Sequence, residues 1–188
     1  MLNVYRLLVR LKNRLFCIVI RGSFSKFGRG SMIQLPASIW GESGISIGDG
    51  VHIGAGSWIL CLDDKSGGNG SNIQIGDGCS FAGGVTITAV SSVIIESDVL
   101  VGRNVHISDH AHEFKSGGKP IIQQGVSNAK SVFIGRGAWL GQGVVVCPGV
   151  RIGRNSVIGA NSVVKSDIPD RCVAVGAPAR VVRSLEPF

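Results

Sequence analysis

The sequence predicts an all-β chain built as a three-sided solenoid of short parallel strands, and three observations carry that prediction. The first is a six-residue period. It reads IGDGVH and IGAGSW from Ile47, IGDGCS and FAGGVT from Ile75, and IESDVL, VGRNVH and ISDHAH from Ile95. It resumes at Ile134 as IGRGAW, LGQGVV, VCPGVR, IGRNSV, IGANSV and VKSDIP. The second is the rule inside each hexad: the first residue is aliphatic, the second is often Gly, and the fifth is small or β-branched, as at Val51, Ser57, Cys79, Val85, Val105, Ala111, Ala138 and Ser156. The third is composition. With 44% hydrophobic residues, 28 glycines and only 6 prolines, the glycines belong to regularly placed turns and not to a disordered linker.

A short strand that points its first residue inward, turns at a Gly or Asn tolerant of positive φ, and points a small residue into a corner satisfies the rule. Three such hexads close one triangular coil. At 188 residues the chain holds one domain with decorations. Residues 1–23 read as an amphipathic helix with a basic stripe, because Arg6, Arg10 and Arg14 stand four apart and no uncharged apolar run there is long enough to span a bilayer. No signal-peptide cleavage pattern follows it. Its expected place is against the end of the domain or a neighbouring subunit, with peripheral contact to an anionic membrane surface as the other reading. Residues 24–170 form the solenoid, interrupted by polar, glycine-containing loops at 62–74 and 113–133. Residues 171–188 form a C-terminal extension.

The formal charge of +7 and pI near 9.5 imply an anionic partner, which could be a phosphorylated cofactor, an acidic glycan, nucleic acid or a membrane surface, without choosing one. The five cysteines, Cys17, Cys61, Cys79, Cys147 and Cys172, are odd in number and lack any CxxC spacing, which argues against a disulfide framework or a cysteine zinc site and fits a reducing cytoplasm. His52, His106, His112 and Trp139 each occupy the sixth, outward position of a hexad; His110 is fourth, at a turn, where exposure is also expected.

The repeat resembles the left-handed parallel β-helix of the hexapeptide-repeat proteins. IGRGAWLGQGVVVCPGVRIGRNSVIGANSVVKSDIP followed by VAVGAPARVVR further resembles acetyl-CoA-dependent O-acetyltransferases acting on galactosides and surface-polysaccharide sugars. The DHAH of residues 109–112 resembles the lipopolysaccharide and capsule branch of that family. The resemblance implies a homotrimer with sites between subunits, acetyl-CoA as co-substrate, no metal, a sugar or glycan acceptor, no nucleic-acid partner, and a cytoplasmic location reaching to the inner face of the membrane. By position it implies His112, the histidine just ahead of the long loop, as general base. His110 and Glu113 would contact the acceptor, and Asp109 or Glu113 would orient an imidazole. Trp139, Gly141, Gly159 and Ala160 would line the pantetheine groove, where small residues let main chain approach the ligand. A backbone N–H near Gly141 or Gln142 would serve the oxyanion. Arg180 and Arg183 would meet the nucleotide phosphates, as would Lys165, although it stands one place earlier than the family's lysine.

Three other readings remain at this stage. A sugar amine could replace the hydroxyl and use the same base. A zinc carbonic anhydrase on the same scaffold needs three converging histidines, and DHAH is a poor match to that spacing. A non-catalytic trimeric scaffold needs only the basic helix. Nucleotide-sugar pyrophosphorylases and serine acetyltransferases carry further N-terminal domains that residues 1–23 do not supply.

Overall fold

The computed structural model describes residues 2–62, 72–115, 117–127 and 129–186. Most of the loop expected at 62–74 lies outside them, and strand Ile73–Ile75 begins within that stretch, as strand Val132–Ile134 begins within the stretch read as 113–133.

Three sheets run the length of the molecule, each built from one short strand per coil. The first face stacks Lys26–Phe27, Ile45–Ile47, Ile73–Ile75, Val93–Ile95, Val132–Ile134 and Arg151–Ile152. The second stacks Met32–Ile33, His52–Ile53, Ser80–Phe81, Leu100–Val101, Trp139–Leu140, Val157–Ile158 and Cys172–Gly176, and ends in the antiparallel strand Ala179–Ser184. The third stacks Ala37–Trp40, Ser57–Cys61, Thr86–Ala89, His106–Ser108, Val145–Val146 and Val163–Val164. All coil-to-coil pairings are parallel, and the register puts like hexad positions over one another: Ile53 over Phe81, Phe81 beside Val101, Val101 beside Leu140.

Those first-position side chains fill the prism, with Ile47, Ile53, Phe81, Val101, Ile107, Ile134 and Leu140 essentially inaccessible. The fifth-position residues close the corners as expected. At Cys79 burial pushes the thiol up to about 11, so it stays protonated and donates to the Glu96 carbonyl at 3.0 Å. Ala111 breaks the rule. It is exposed, because the chain leaves the coil at Asp109 before that hexad is complete.

The two glycine positions have different causes. In most hexads the fourth residue takes a left-handed conformation, supplied by Gly50, Gly78 or Gly137 and equally by Asn104, Asn155 and Asn161. The second does not. A Cβ on Gly76 would come to 2.5 Å from the Ser97 nitrogen and 2.7 Å from the Glu96 carbonyl carbon in the next coil, so glycine is needed there for close backbone approach.

On the second face both ends of the stack are covered. Helix Leu2–Ile20, followed by a 3₁₀ turn at Arg21–Ser23, lies along the edge strand Met32–Ile33. The Ile33 N–H donates to the Cys17 sulfur at 3.2 Å, and the Leu35 N–H donates to Asn13 Oδ1 at 3.2 Å. Edge groups that would invite another strand are thereby occupied. At the other end Cys172–Gly176 extends the second face by parallel pairing with Val157–Ile158, and the chain reverses to cover that strand.

Replacing Gly76 with Ala should cost about 1–3 kcal/mol, because the rigid next coil cannot move away from the new methyl. Gly118→Ala, which meets nothing within 4 Å, should be close to neutral. Urea unfolding of the two variants checks the difference.

Candidate functional site

Strand His106–Ser108 ends the third face of its coil, and the next residue is the structural pivot of the region. Asp109 is completely buried. Its carboxylate accepts the main-chain N–H groups of Val90 (3.0 Å), Ser91 (2.6 Å) and Ser92 (2.7 Å) in the preceding coil. A buried charge is tolerable only with such compensation. The same carboxylate meets His110 Nδ1 at 2.8 Å. Ser108 Oγ secures the turn from beneath, donating to the His110 carbonyl at 2.7 Å while accepting from Thr88 Oγ1 at 2.9 Å.

The His110 side chain is 11% exposed, which corrects the expectation of an open turn position. With Nδ1 donating to Asp109, the tautomer leaves a lone pair on Nε2. Among the described residues no buried side-chain nitrogen lacks a partner, and His110 makes no second side-chain bond, so Nε2 reaches the surface. His112 is exposed and has left the coil. Its backbone pairs antiparallel with Val126, in a ribbon continued by Glu113 N–H to Gly125 O at 3.0 Å and Ser127 N–H to Ala111 O at 2.8 Å. Among the described residues its imidazole makes no hydrogen bond. The Glu113 carboxylate accepts the N–H groups of Phe114 (2.9 Å) and Lys115 (3.1 Å), which hold it below its ordinary range; it shapes the turn and orients neither imidazole.

Sequence reasoning gave His106 no role beyond facing outward. Its position follows from register: it stands between Thr86 and Val145 on the third face. Burial, and then the positive potential of His110, lower its pKa. The two imidazoles therefore share one electrostatic environment.

A second group of expected site residues assembles on the second face. Pairing runs Leu100, Trp139, Val157, Val173 and Arg183 in a single row. Arg180 and Arg183 are three apart in sequence, which in a regular strand would put them on opposite faces. The bulge opposite Val173 and Ala174 skips Val182, so Arg180 pairs with Val175 and Arg183 with Val173, and both face the same way. At the corner leading from this face to the third lie Gly141, Gln142, Gly159 and Ala160. A Cβ on Gly141 would stand 2.7 Å from the Ala160 nitrogen, and one on Gly159 would stand 2.7 Å from Val175 Cγ1; coil stacking alone accounts for both glycines. The Gly141 N–H already donates to the Ile158 carbonyl at 2.8 Å, which removes it as an oxyanion donor. Gln142 and Ala160 are exposed, and their N–H groups make no bond among the described residues.

Within one chain the two groups do not meet. His110 lies at the corner after the third face, whereas Gln142 and Ala160 lie at the corner before it. Lys165, exposed just after Val163–Val164 on the third face, falls away from Trp139 and both arginines. Among the described residues no three His, Cys, Asp or Glu side chains are gathered as a metal site would need.

Two family descriptions match the chain: bacterial transferase hexapeptide (six repeats) over residues 131–166 and the hexapeptide repeat of succinyl-transferase over residues 37–61. No curated protein sequence matches. Among solved structures, a point mutant of AntD, an N-acyltransferase from Bacillus cereus in complex with dTDP and coenzyme A, superposes with a TM-score of 0.75 at 20% identity, covering 89% of this chain and 88% of its own. A hexapeptide-repeat-containing acetyltransferase from Vibrio cholerae O1 biovar eltor, complexed with acetyl coenzyme A, gives 0.61 at 24% identity, covering 89% and 74%. A galactoside acetyltransferase in complex with coenzyme A gives 0.59 at 29% identity, covering 89% and 68%. The fold is the left-handed parallel β-helix, and two segments of the chain carry the hexapeptide repeat of bacterial transferases.

The lowered His106 pKa makes a stability prediction. Between the folded value and the ordinary 6.5, the unfolded chain binds a proton that the folded chain does not, so His106 makes stability fall as pH drops below about 6.5. His106→Gln should therefore flatten the decline in urea midpoint between about pH 7 and pH 5. An unchanged slope would show that His106 carries no such penalty.

Proposed function

We propose that the chain transfers the acetyl group of acetyl-CoA to a hydroxyl of a sugar, with His110 as general base. The observation that carries the choice of base is the buried Asp109 carboxylate 2.8 Å from His110 Nδ1. It fixes the ring and the tautomer, and it stabilises the imidazolium that forms during reaction. His112, the expectation from position in the sequence, has no such partner among the described residues and serves better in contact with the acceptor. The family and the coenzyme A complexes of similar structures support acyl transfer from a CoA thioester.

The chemistry needs few groups. As the acceptor oxygen bonds to the thioester carbonyl carbon, its proton passes to His110 Nε2. The tetrahedral oxyanion collapses, the C–S bond breaks, and the departing CoA sulfur takes the proton back from His110. The Gln142 N–H is our candidate for the oxyanion, and the exposed corner of Gln142 and Ala160 offers main-chain groups to the pantetheine arm. Trp139 and the paired arginines continue that path along the second face, where guanidinium groups suit the nucleotide phosphates. Since one chain holds imidazole and groove at different corners, the complete site takes one from each of two neighbours. A homotrimer supplies that arrangement around its axis. Glu113 keeps its turn-forming role beside the acceptor, and Lys165 is left outside the groove. The DHAH resemblance favours a lipopolysaccharide or capsule sugar as acceptor. A sugar amine is the second reading, favoured by the overlap with an N-acyltransferase.

His110→Ala should lower kcat by about a hundredfold or more, within the range a positioned base contributes, with the Michaelis constant for acetyl-CoA little changed. His112→Ala should do less, and Asp109→Asn should follow His110→Ala in direction. Acetyl transfer from acetyl-CoA to mixed sugar and amino-sugar acceptors, followed by chromatography, measures this and separates oxygen from nitrogen products. A loss confined to His112 would return the base to that residue.

The arginine pair is tested apart from the base. Arg180→Gln with Arg183→Gln should raise the Michaelis constant for acetyl-CoA more than that for an acetyl-pantetheine without the nucleotide, and added salt should shrink the difference. Equal weakening of the two donors would remove the nucleotide from this end of the second face.

A further inference from the structure

The N-terminal helix has two apolar faces, and the fold uses one. Phe16, Cys17 and Ile20 pack on the end of the β-helix, with Asn13 bonded beside them. At about 100° per residue, Val4, Leu7, Leu8, Leu11, Leu15, Ile18 and Val19 fall together in a separate arc of about 120° with no charged residue inside it. Every one of these seven is exposed, from 59% at Leu8 to 73% at Val19. Basic side chains flank the arc on both sides, Arg14 and Arg10 on one and Lys12 on the other.

Charge is distributed to match. The seven basic residues before Glu42 face no acidic residue in that stretch, while the rest of the chain holds twelve of each sign. The whole net charge of +7 thus sits at the helix-bearing end. Next to the arc, Arg14, Ile18, Arg21 and Arg29 line a cleft of about 350 Å³ between helix and first coil. Beside it Arg29 pairs with Asp49 at 3.4 Å.

We propose that this end of the molecule docks on an anionic phospholipid bilayer, the arc of Val4, Leu8, Leu11 and Leu15 entering the acyl boundary while Arg10, Lys12, Arg14 and Arg21 meet lipid phosphates. Long basic side chains beside an apolar arc reach the headgroup level as the arc sinks. Among the described residues no helix is long and apolar enough to cross a membrane, and the proposed contact is interfacial. A second copy of the helix is the competing occupant, since Val4, Leu8, Leu11, Leu15 and Ile18 follow a 4–3 spacing. The flanks disfavour it: Lys12 and Arg14 would face other cations, and the helix has no acid to pair with them.

The test is sedimentation of the full chain with vesicles of phosphatidylcholine containing phosphatidylglycerol, against phosphatidylcholine alone. Binding should require the anionic lipid, should weaken in about 0.5 M salt, and should survive millimolar inorganic phosphate. Leu8→Glu with Leu11→Glu should reduce binding about tenfold or more; both side chains are exposed, so the unfolding midpoint and the oligomeric state should stay as they were. Arg10→Gln with Arg14→Gln should reduce binding without touching the apolar arc, and it decides the matter should the leucine variant fail to fold. Equal binding to neutral vesicles, unchanged binding in the arginine variant, release by inorganic phosphate, or dissociation of an oligomer by the leucine variant would each overturn the proposal, the last in favour of helix pairing. Catalysis is not the readout, so failure here would leave the acetyl-transfer reading standing.

Discussion

Close stacking of backbone on backbone, coil after coil, is the constraint on which everything else in this molecule depends. Strands of neighbouring coils hydrogen-bond at the ordinary sheet spacing of about 4.8 Å, and the corners between them must come as near. That nearness is why a Cβ at Gly48, Gly54, Gly76, Gly102, Gly135, Gly141 or Gly153 would meet main chain of the next coil. Given this pitch, the outward residues fall into straight rows whose members are set by register, and the functional surface is a selection from those rows.

The candidate site lies where the stacking is interrupted. After Ser108 the chain leaves the prism and returns near Ser131, so the corner of that coil is missing and the preceding corner at Val90–Ser92 loses the amide acceptors a full turn would offer. The Asp109 carboxylate replaces them. A side chain buried to repair a gap in the ladder is rigid, and whatever it bonds inherits that rigidity. His110 is therefore oriented by the same group that holds the two coils together at this point. This coupling explains how a junction between coil and loop can present an imidazole in one fixed pose.

Periodicity made the prism legible. The hexads from Ile47 to Val164 announced inward and corner residues correctly because each follows from a local rule repeated many times, and the left-handed turns at Asn104, Asn155 and Asn161 follow from the same rule. The rule failed where repetition failed. ISDHAH counts as a hexad, so it placed Ala111 in a corner and His110 at an open turn, whereas the chain has already departed and Ala111 is exposed. Nothing in that string says that Asp109 turns inward toward residues 90–92, a contact set by the coil before it. Arg180 and Arg183 were legible as a pair, but the bulge that aligns them depends on the reversal after Gly176. The second apolar arc of the helix was written in the sequence all along; only the structure distinguishes the face that packs from the face that remains open.

The two ends of the stack solve the edge problem with different chemistry, and this gives the molecule a direction. At the C-terminal end a strand folds back and satisfies the last coil with main chain. At the N-terminal end a helix satisfies main-chain groups of the first coil through the Cys17 sulfur and the Asn13 side chain, which fixes the helix on the edge and leaves its open arc exposed. On the third face Ala37–Trp40, Ser57–Cys61 and Thr86–Ala89 precede His106–Ser108. Three steps of about 4.8 Å therefore separate the edge coil from the imidazole coil, or about 14 Å along the axis. A surface beneath the helix would hold the imidazole at least that far above it. On the sugar-transfer and bilayer-docking readings we propose, an acceptor anchored in such a surface would reach His110 only with its reactive group held at least about 14 Å from that surface, which would tie the position of the edge helix to the reach of the acceptor.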